Sequence, residues 1–151
     1  MNLMPPPVLE SIRADTDAIG FPMASEPQVG ALLRTLVAAK PGASVLELGS
    51  GTGLATAWLL AGMDADARMV SVENDSGVAA IAHRYLGEDQ RVQFVIADAG
   101  AFLVALAPQS VDLIFADTWA GKYTHLEETL QLLRPGGLYV IDDMLPQPNW
   151  P

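Results

Sequence analysis

The stretch Ser44-Val45-Leu46-Glu47-Leu48-Gly49-Ser50-Gly51-Thr52-Gly53-Leu54-Ala55-Thr56 constrains the fold more than any other part of the chain. Val45 to Leu48 reads as a buried strand that breaks into a glycine loop, and a helix rich in Ala and Leu follows. Gly49, Gly51 and Gly53 allow a sharp turn with no side chain between the backbone and a bound ligand. The helix begins with N–H groups that have no partner inside it, so the loop can hold a polar or anionic group. A purely structural turn is the alternative for the glycines alone. Glu47 at the strand end makes the signal more specific.

The spacing excludes two nucleotide sites. A dinucleotide fingerprint needs glycines at positions one, three and six. Position six is Leu54 counted from Gly49 and Thr56 counted from Gly51. A phosphate-binding loop fails as well, because no Gly-Lys-Ser/Thr follows. What remains, Glu-x-Gly-x-Gly-x-Gly over residues 47–53, resembles motif I of the class I S-adenosylmethionine-dependent methyltransferases. In that family the loop wraps the methionine part of the cofactor and the acidic residue lies close to it. The resemblance therefore implies cofactor-binding roles for Glu47, Gly49, Gly51 and Gly53.

Composition narrows the rest. A chain of 151 residues makes one domain with a real core. Its apolar runs are interrupted within about a dozen residues, well short of a bilayer span. No basic region precedes a long apolar core at the N-terminus, so no secretion signal is read there. The absence of cysteine excludes disulfides and thiolate metal sites and fits a cytoplasmic protein. A formal charge of −10 with only 8 Lys and Arg argues against a nucleic-acid partner. A small-molecule substrate is expected, with no membrane partner.

In chain order, residues 1–7 read as a loose arm and Val8 to Ile19 as a weakly amphipathic helix. Residues 20–24 break it. Ser25 and Gln28 have the spacing of a capping box opening a helix that runs to Lys40, where Pro41-Gly42 stops it. Residues 8–40 are either a packing pair of helices or a cover for the site. In the small-molecule O-methyltransferases that the chain resembles, this segment covers the active site. Its Met23-Ala24-Ser25 stretch implies a contact of Met23 with the cofactor.

Leu54 to Ala61 is expected to be helical, and Arg68 to Glu73 to be a strand. Glu73 lies twenty residues after Gly53, the interval at which nucleotide-binding α/β folds place an acid on the ribose. A solvated strand end is the other reading. Ser76 to Leu86 is a helix closed by Gly87, with His83 and Arg84 on its wet face. Arg91 to Ala97 forms a third strand ending in Asp98-Ala99. In the methyltransferases an acid here bonds the exocyclic amine of adenine and neighbouring backbone reads the ring nitrogens; an N-cap on a helix from Gly100 to Leu106 is the alternative for Asp98.

The fourth strand runs from Val111 to Asp117, a helix from about Thr124 to Leu133, a turn over residues 134–137, and a fifth strand from Leu138 to Ile141. Apolar strands alternating with helices predict a parallel sheet covered on both faces. Ligands in such sheets sit beyond the C-terminal strand ends, where the strand order reverses. Glu47, Glu73, Asp98, Asp117 and Asp142 all fall on that edge.

Phe115-Ala116-Asp117-Thr118-Trp119 with Lys122-Tyr123, then residues 133–137 and Asp142-Asp143, resembles the catechol and caffeoyl-CoA O-methyltransferase group, over about residues 23–144. Members bind a divalent cation through an Asp after strand four and an Asp-Asn pair after strand five. The resemblance implies Asp117, Asp142 and Asp143 as Mg²⁺ ligands, with the cation favouring the ionised substrate hydroxyl. It also implies that Asp117 and Trp119 border the cofactor, Trp119 at the adenine face. Two departures stand out. Asp143 replaces the Asn, and Ala120 occupies the place of the catalytic Lys in the catechol enzymes. Asp117 and Lys122 are the catalytic candidates; an ordinary loop lysine is the alternative for Lys122.

The expectation is a Rossmann-like, doubly wound α/β sheet of the class I methyltransferase type, lacking the C-terminal antiparallel hairpin. Residues 1–40 would be a helical cover, 41–145 the cofactor-binding core and 146–151 a truncated tail. Without the hairpin the fifth strand would be an exposed apolar edge. Either the chain continues, or a second copy in a homodimer covers it. The expected function is S-adenosylmethionine-dependent O-methylation of a small molecule. The alternatives are a metal-independent methyltransferase of an N or C nucleophile and a cofactor-binding protein without catalysis.

Overall fold

Short apolar runs, each followed by a helix that carries the chain back across the sheet, build the architecture seen in the computed structural model, which describes residues 4–145. The order is α1 (Val8–Ala18), α2 (Pro27–Ala38), β1 (Ser44–Leu48), α3 (Leu54–Gly62), β2 (Arg68–Glu73), α4 (Ser76–Leu86), β3 (Val92–Ile96), α5 (Ala99–Leu103), β4 (Val111–Ala116), α6 (Leu126–Leu132) and β5 (Leu133–Ile141). The strands form one five-stranded sheet in the order β3-β2-β1-β4-β5. Every pairing is parallel, with Val45 opposite both Met69 and Leu113. The expected tail, 146–151, and the first three residues of the arm lie outside the described residues.

Strand alternation divides the core into two layers. Val45, Met69, Leu113 and Phe115 pack against α1 to α4 through residues such as Ile12, Leu33, Leu59 and Ile81. Leu46, Leu48, Val72 and Ile114 point the other way, towards Leu103 of α5 and Leu132 of α6. Both faces are covered, as the continuous apolar strands require. The α2–α3 contact is close: a Cβ added at Gly30 would lie 2.1 Å from the Trp58 ring. Helix α1 is tied to α4 by Asp15, which accepts from Arg84 Nη1 at 2.7 Å and Tyr85 Oη at 2.9 Å.

Three elements differ from the sequence reading. The Ser25–Gln28 capping box is not formed. Pro27 occupies the first turn of α2, the N-cap is Glu26 with no side-chain bond, and Ser25 turns instead to Asp117. Proline needs no N–H partner there, so a cap is less needed. Helix α5 starts at Ala99, one residue early, because Asp98 caps it through Ala101 N–H at 2.8 Å, and it ends at Leu103 rather than Leu106. Strand β5 begins at Leu133, five residues early. Leu133 pairs with Val111 and Leu138 with Leu113, so the residues expected as a turn are absorbed as an irregularity in the ladder. Arg134 Nη1 on Asp112 at 2.6 Å and Lys40 Nζ on the Gly136 carbonyl at 2.8 Å hold it. Among the described residues β5 is one edge of the sheet and β3 the other.

Candidate active site

From β1 the chain winds outward through β2 to β3, whereas β4 lies on the other side of β1. A crevice therefore opens between the ends of β1 and β4. Asp117 N–H donates to the Leu48 carbonyl at 2.9 Å and Gly49 N–H to the Val72 carbonyl at 2.8 Å, so the strand ends stay in contact beyond the ladder. Gly49 has φ +91°, and a Cβ there would meet the Asp117 carbonyl oxygen at 2.9 Å. Only glycine permits this approach.

The crevice holds a cleft of about 390 Å³. Its walls are the glycine loop, Glu73, the segment from Phe21 to Ser25, and the loop carrying Asp117, Trp119 and Lys122. An adjoining hollow of about 170 Å³ is lined by Asp98, Ala99, Gly100, Ala120 and His125. The two share Gly49, Glu73, Asn74, Thr118 and Trp119, which makes one elongated site with Glu73 at its waist.

Of the residues expected at the site, Met23, Gly49, Gly51, Glu73, Asp117, Trp119, Lys122 and Asp143 line the cleft, and Asp98 and Ala99 line the hollow. Three stand apart. Gly53 begins α3 with φ +94°, and a Cβ there would meet Ala82 Cβ at 2.8 Å, so its position is a packing contact with α4. Asp142 follows β5 and turns its Oδ1 to Asp143 N–H at 2.8 Å. Glu47 is fully buried below the loop. It shares a sheet face with Val45, opposite Ser71 in β2 and Phe115 in β4, and this face looks towards α3.

Hydrogen bonds set the charges. Glu73 Oε2 accepts from Gly51 N–H at 2.9 Å, and Oε1 from the N–H groups of Asn74 and Asp75 at 2.9 and 3.1 Å. The carboxylate thus braces the glycine loop and keeps lone pairs for further donors. Asp117 Oδ2 accepts from Ser25 Oγ at 3.2 Å, which pins the segment before α2 to the floor of the cleft. Burial pushes the Asp117 carboxyl up to about 7, and the neighbouring charges of Asp142 and Asp143 add to this against Lys122. Burial also raises Glu47 to about 7, although Ser71 and Thr56 donate to it. Trp119 and Tyr123 pair at the mouth with ring centroids 4.9 Å apart.

Asp117, Asp142 and Asp143 have the oxygen chemistry a Mg²⁺ site needs. Their arrangement does not fit one. Asp142 Oδ1 accepts its neighbour's N–H, a bond that leaves Oδ2 to other partners. Among the described residues no three acidic or histidine side chains converge to hold a metal ion.

Phe21, Asn74, Thr118 and His125 also line the crevice. Phe21 and His125 are brought in by folding: the Phe21 ring lies over Gly51 and the His125 ring over Gly100. Thr118 was accessible from its place next to Asp117, and Asn74 from its place next to Glu73.

A family model described as a methyltransferase domain matches residues 46–144. A Mycolicibacterium vanbaalenii protein provisionally named an O-methyltransferase is 33% identical over 123 residues, which are 78% of this chain and 54% of that protein. The chain spans about half the length of such curated relatives. Among solved structures, the O-methyltransferase from Bacillus cereus in complex with S-adenosylhomocysteine (SAH) gives a TM-score of 0.80 at 28% identity, covering 90% of this chain and 66% of that one. The O-methyltransferase TomG from Streptomyces achromogenes, in complex with S-adenosylmethionine, also gives 0.80, covering 91% and 65%; its 24% identity is a likeness of fold alone.

Proposed function

The chain belongs to the methyltransferase-domain family, with a Rossmann-like α/β fold, and on that premise we propose that it transfers a methyl group from S-adenosylmethionine to a hydroxyl of a small molecule. The observation that carries this reading is the elongated crevice at the β1/β4 switch, with Glu73 at its waist and Asp117 on its floor. S-adenosylmethionine supplies a methyl carbon made electrophilic by the attached sulfonium.

The chain's residues then have three tasks. Glu73 offers its remaining lone pairs to the ribose hydroxyls while bracing the loop at Gly51. Asp98 and Ala99 line the hollow where adenine would lie, with Trp119 across from them. Met23 and the glycine loop enclose the methionine end. Asp117 accepts the proton that the acceptor hydroxyl loses as its oxygen attacks the methyl carbon. A carboxyl that titrates near 7 is well matched to that transfer at neutral pH. Lys122, on the same wall, lends positive charge to the developing oxyanion. Holding both reactants in line supplies the rest of the acceleration.

The same proposal covers a cytoplasmic site of action and a homodimer through the β5 edge. Among the described residues no helix is long and apolar enough to cross a membrane. The test is methyl transfer from labelled S-adenosylmethionine to a panel of small hydroxyl compounds, with and without chelator. Methylated product is expected from a hydroxyl acceptor, and the chelator arm reads whether a divalent cation is required. Product confined to amine or carbon acceptors would replace the reading with another methyltransferase chemistry, and SAH binding with no product from any acceptor would leave a cofactor-binding protein.

A further inference from the structure

Beneath the glycine loop runs a chain of buried side-chain oxygens that the transfer chemistry leaves unused. Glu47, Ser50, Thr56 and Ser71 are all at most 5% exposed. Glu47 Oε2 accepts from Thr56 Oγ1 at 2.6 Å and from Ser71 Oγ, and Ser71 Oγ in turn meets Ser50 Oγ. Ser50 is in the wall of the cleft. Glu47 Oε1 is buried and has no hydrogen-bond partner among the described residues. A buried carboxylate is thus joined to the ligand cleft by two hydroxyls in series.

Each hydroxyl has one hydrogen, so the chain has a direction. With Glu47 ionised, Ser71 must donate to Glu47 and Ser50 to Ser71. Ser50 then turns lone pairs towards the cleft. With Glu47 protonated on Oε2, the order reverses: Glu47 donates to Ser71, Ser71 to Ser50, and the Ser50 hydrogen is released towards the cleft. Lone pairs suit a cationic ligand such as the α-ammonium at the methionine end of SAH; an outward O–H opposes it.

We propose that Glu47 is a positioning residue that couples cofactor binding to the release of one proton, through Ser71 and Ser50. The proposal rests on the reading of the crevice as a cofactor site. Binding of the cationic ligand draws the hydroxyl chain into its ionised order. The proton on the Glu47 carboxyl leaves for solvent, and no bond other than that O–H is broken. The charged groups that face Glu47 are themselves acidic, Asp117 at the end of β4 and Glu73 at the end of β2. Helix α3, which supplies Thr56, has no charged residue between Leu54 and Gly62. Glu47 therefore holds its proton close to neutrality, where release is measurable.

The experiment is calorimetric titration of SAH near pH 6 in two buffers of different ionisation enthalpy, which counts the protons released. The whole chain is used, as wild type, Glu47→Gln and Ser50→Ala. Wild type should release about one proton near pH 6, and its SAH affinity should rise about tenfold between pH 6 and pH 8. In Glu47→Gln the release and the rise of affinity with pH should fall together, to what Asp117 alone contributes. Ser50→Ala keeps the carboxyl but cuts the chain, and should lose the same part of the release. It serves as the second variant if Glu47→Gln does not fold. SAH binding with proton release unchanged in either variant would overturn the proposal while leaving the cofactor reading intact. No SAH binding by wild type at any pH would overturn the cofactor reading and this proposal with it.

Discussion

At the scale of single residues, the site separates its acids by environment. Glu73 accepts three backbone N–H groups, whereas Asp117 has one serine hydroxyl and two acidic neighbours. Glu73 is thereby equipped to hold a ligand, and Asp117 to exchange a proton. Asp117→Asn keeps the shape and the Ser25 contact but cannot take the acceptor proton. It should lower kcat by about 10²- to 10⁴-fold with SAH affinity within a few-fold of wild type, read by methyl-transfer kinetics and titration. The sign of the pH dependence follows from the raised carboxyl. A base must be ionised, so kcat/KM should climb as pH rises through about 7 and then level off.

At the scale of elements, the glycine loop is held from three sides. Glu73 braces it at Gly51, Thr52 Oγ1 meets Thr16 of α1 at 2.8 Å, and Gly53 packs on α4. Helix α2 seats on α3 through Gly30, where any side chain collides with Trp58. Gly30→Val should therefore cost on the order of 2 kcal/mol or more and lower Tm by several degrees, measured by thermal unfolding. Elements defined by local chemistry were legible in the sequence. Strand β2 and helix α4 have the expected bounds, because Glu73, Asp75 and Gly87 mark them within a few residues. Elements decided by tertiary contacts were not. Ser25 has capping spacing, yet Asp117 is its partner across 92 residues of sequence. Pro135-Gly136-Gly137 has turn composition, yet Asp112 and Lys40 hold that stretch in the sheet. Glu47 was expected on the ligand edge, yet its side chain shares the Val45 face and is buried below the loop.

At the scale of the molecule, two acids held near 7, Glu47 buried and Asp117 half-buried, give folding stability an unusual pH dependence. A carboxyl whose native value lies above its unfolded value binds its proton more tightly in the native state, so stability falls as pH rises between the two. For Glu47, moving from 4.5 to about 7, the loss completed above neutrality is on the order of 3 kcal/mol. Asp117 acts in the same direction and over the same window. Asp64 and Asp89 act oppositely. The Gly42 N–H and the Arg91 guanidinium hold them below the usual carboxylate range, so their contribution is lost only in acid. The net charge of −10 adds self-repulsion at high pH. Tm should be greatest near pH 5 and fall by about 10–20 °C towards pH 8, and Glu47→Gln should remove about half of that fall. A flat profile in scanning calorimetry would contradict the burial account of both acids.

The central claim is that the crevice at the β1/β4 switch binds the cofactor with Glu73 at its waist. Titration of SAH into wild type and Glu73→Ala at neutral pH tests it most directly. The account predicts micromolar binding by wild type and a loss of tenfold or more in the variant. Equal affinity in the two proteins, or no binding by wild type, would contradict it.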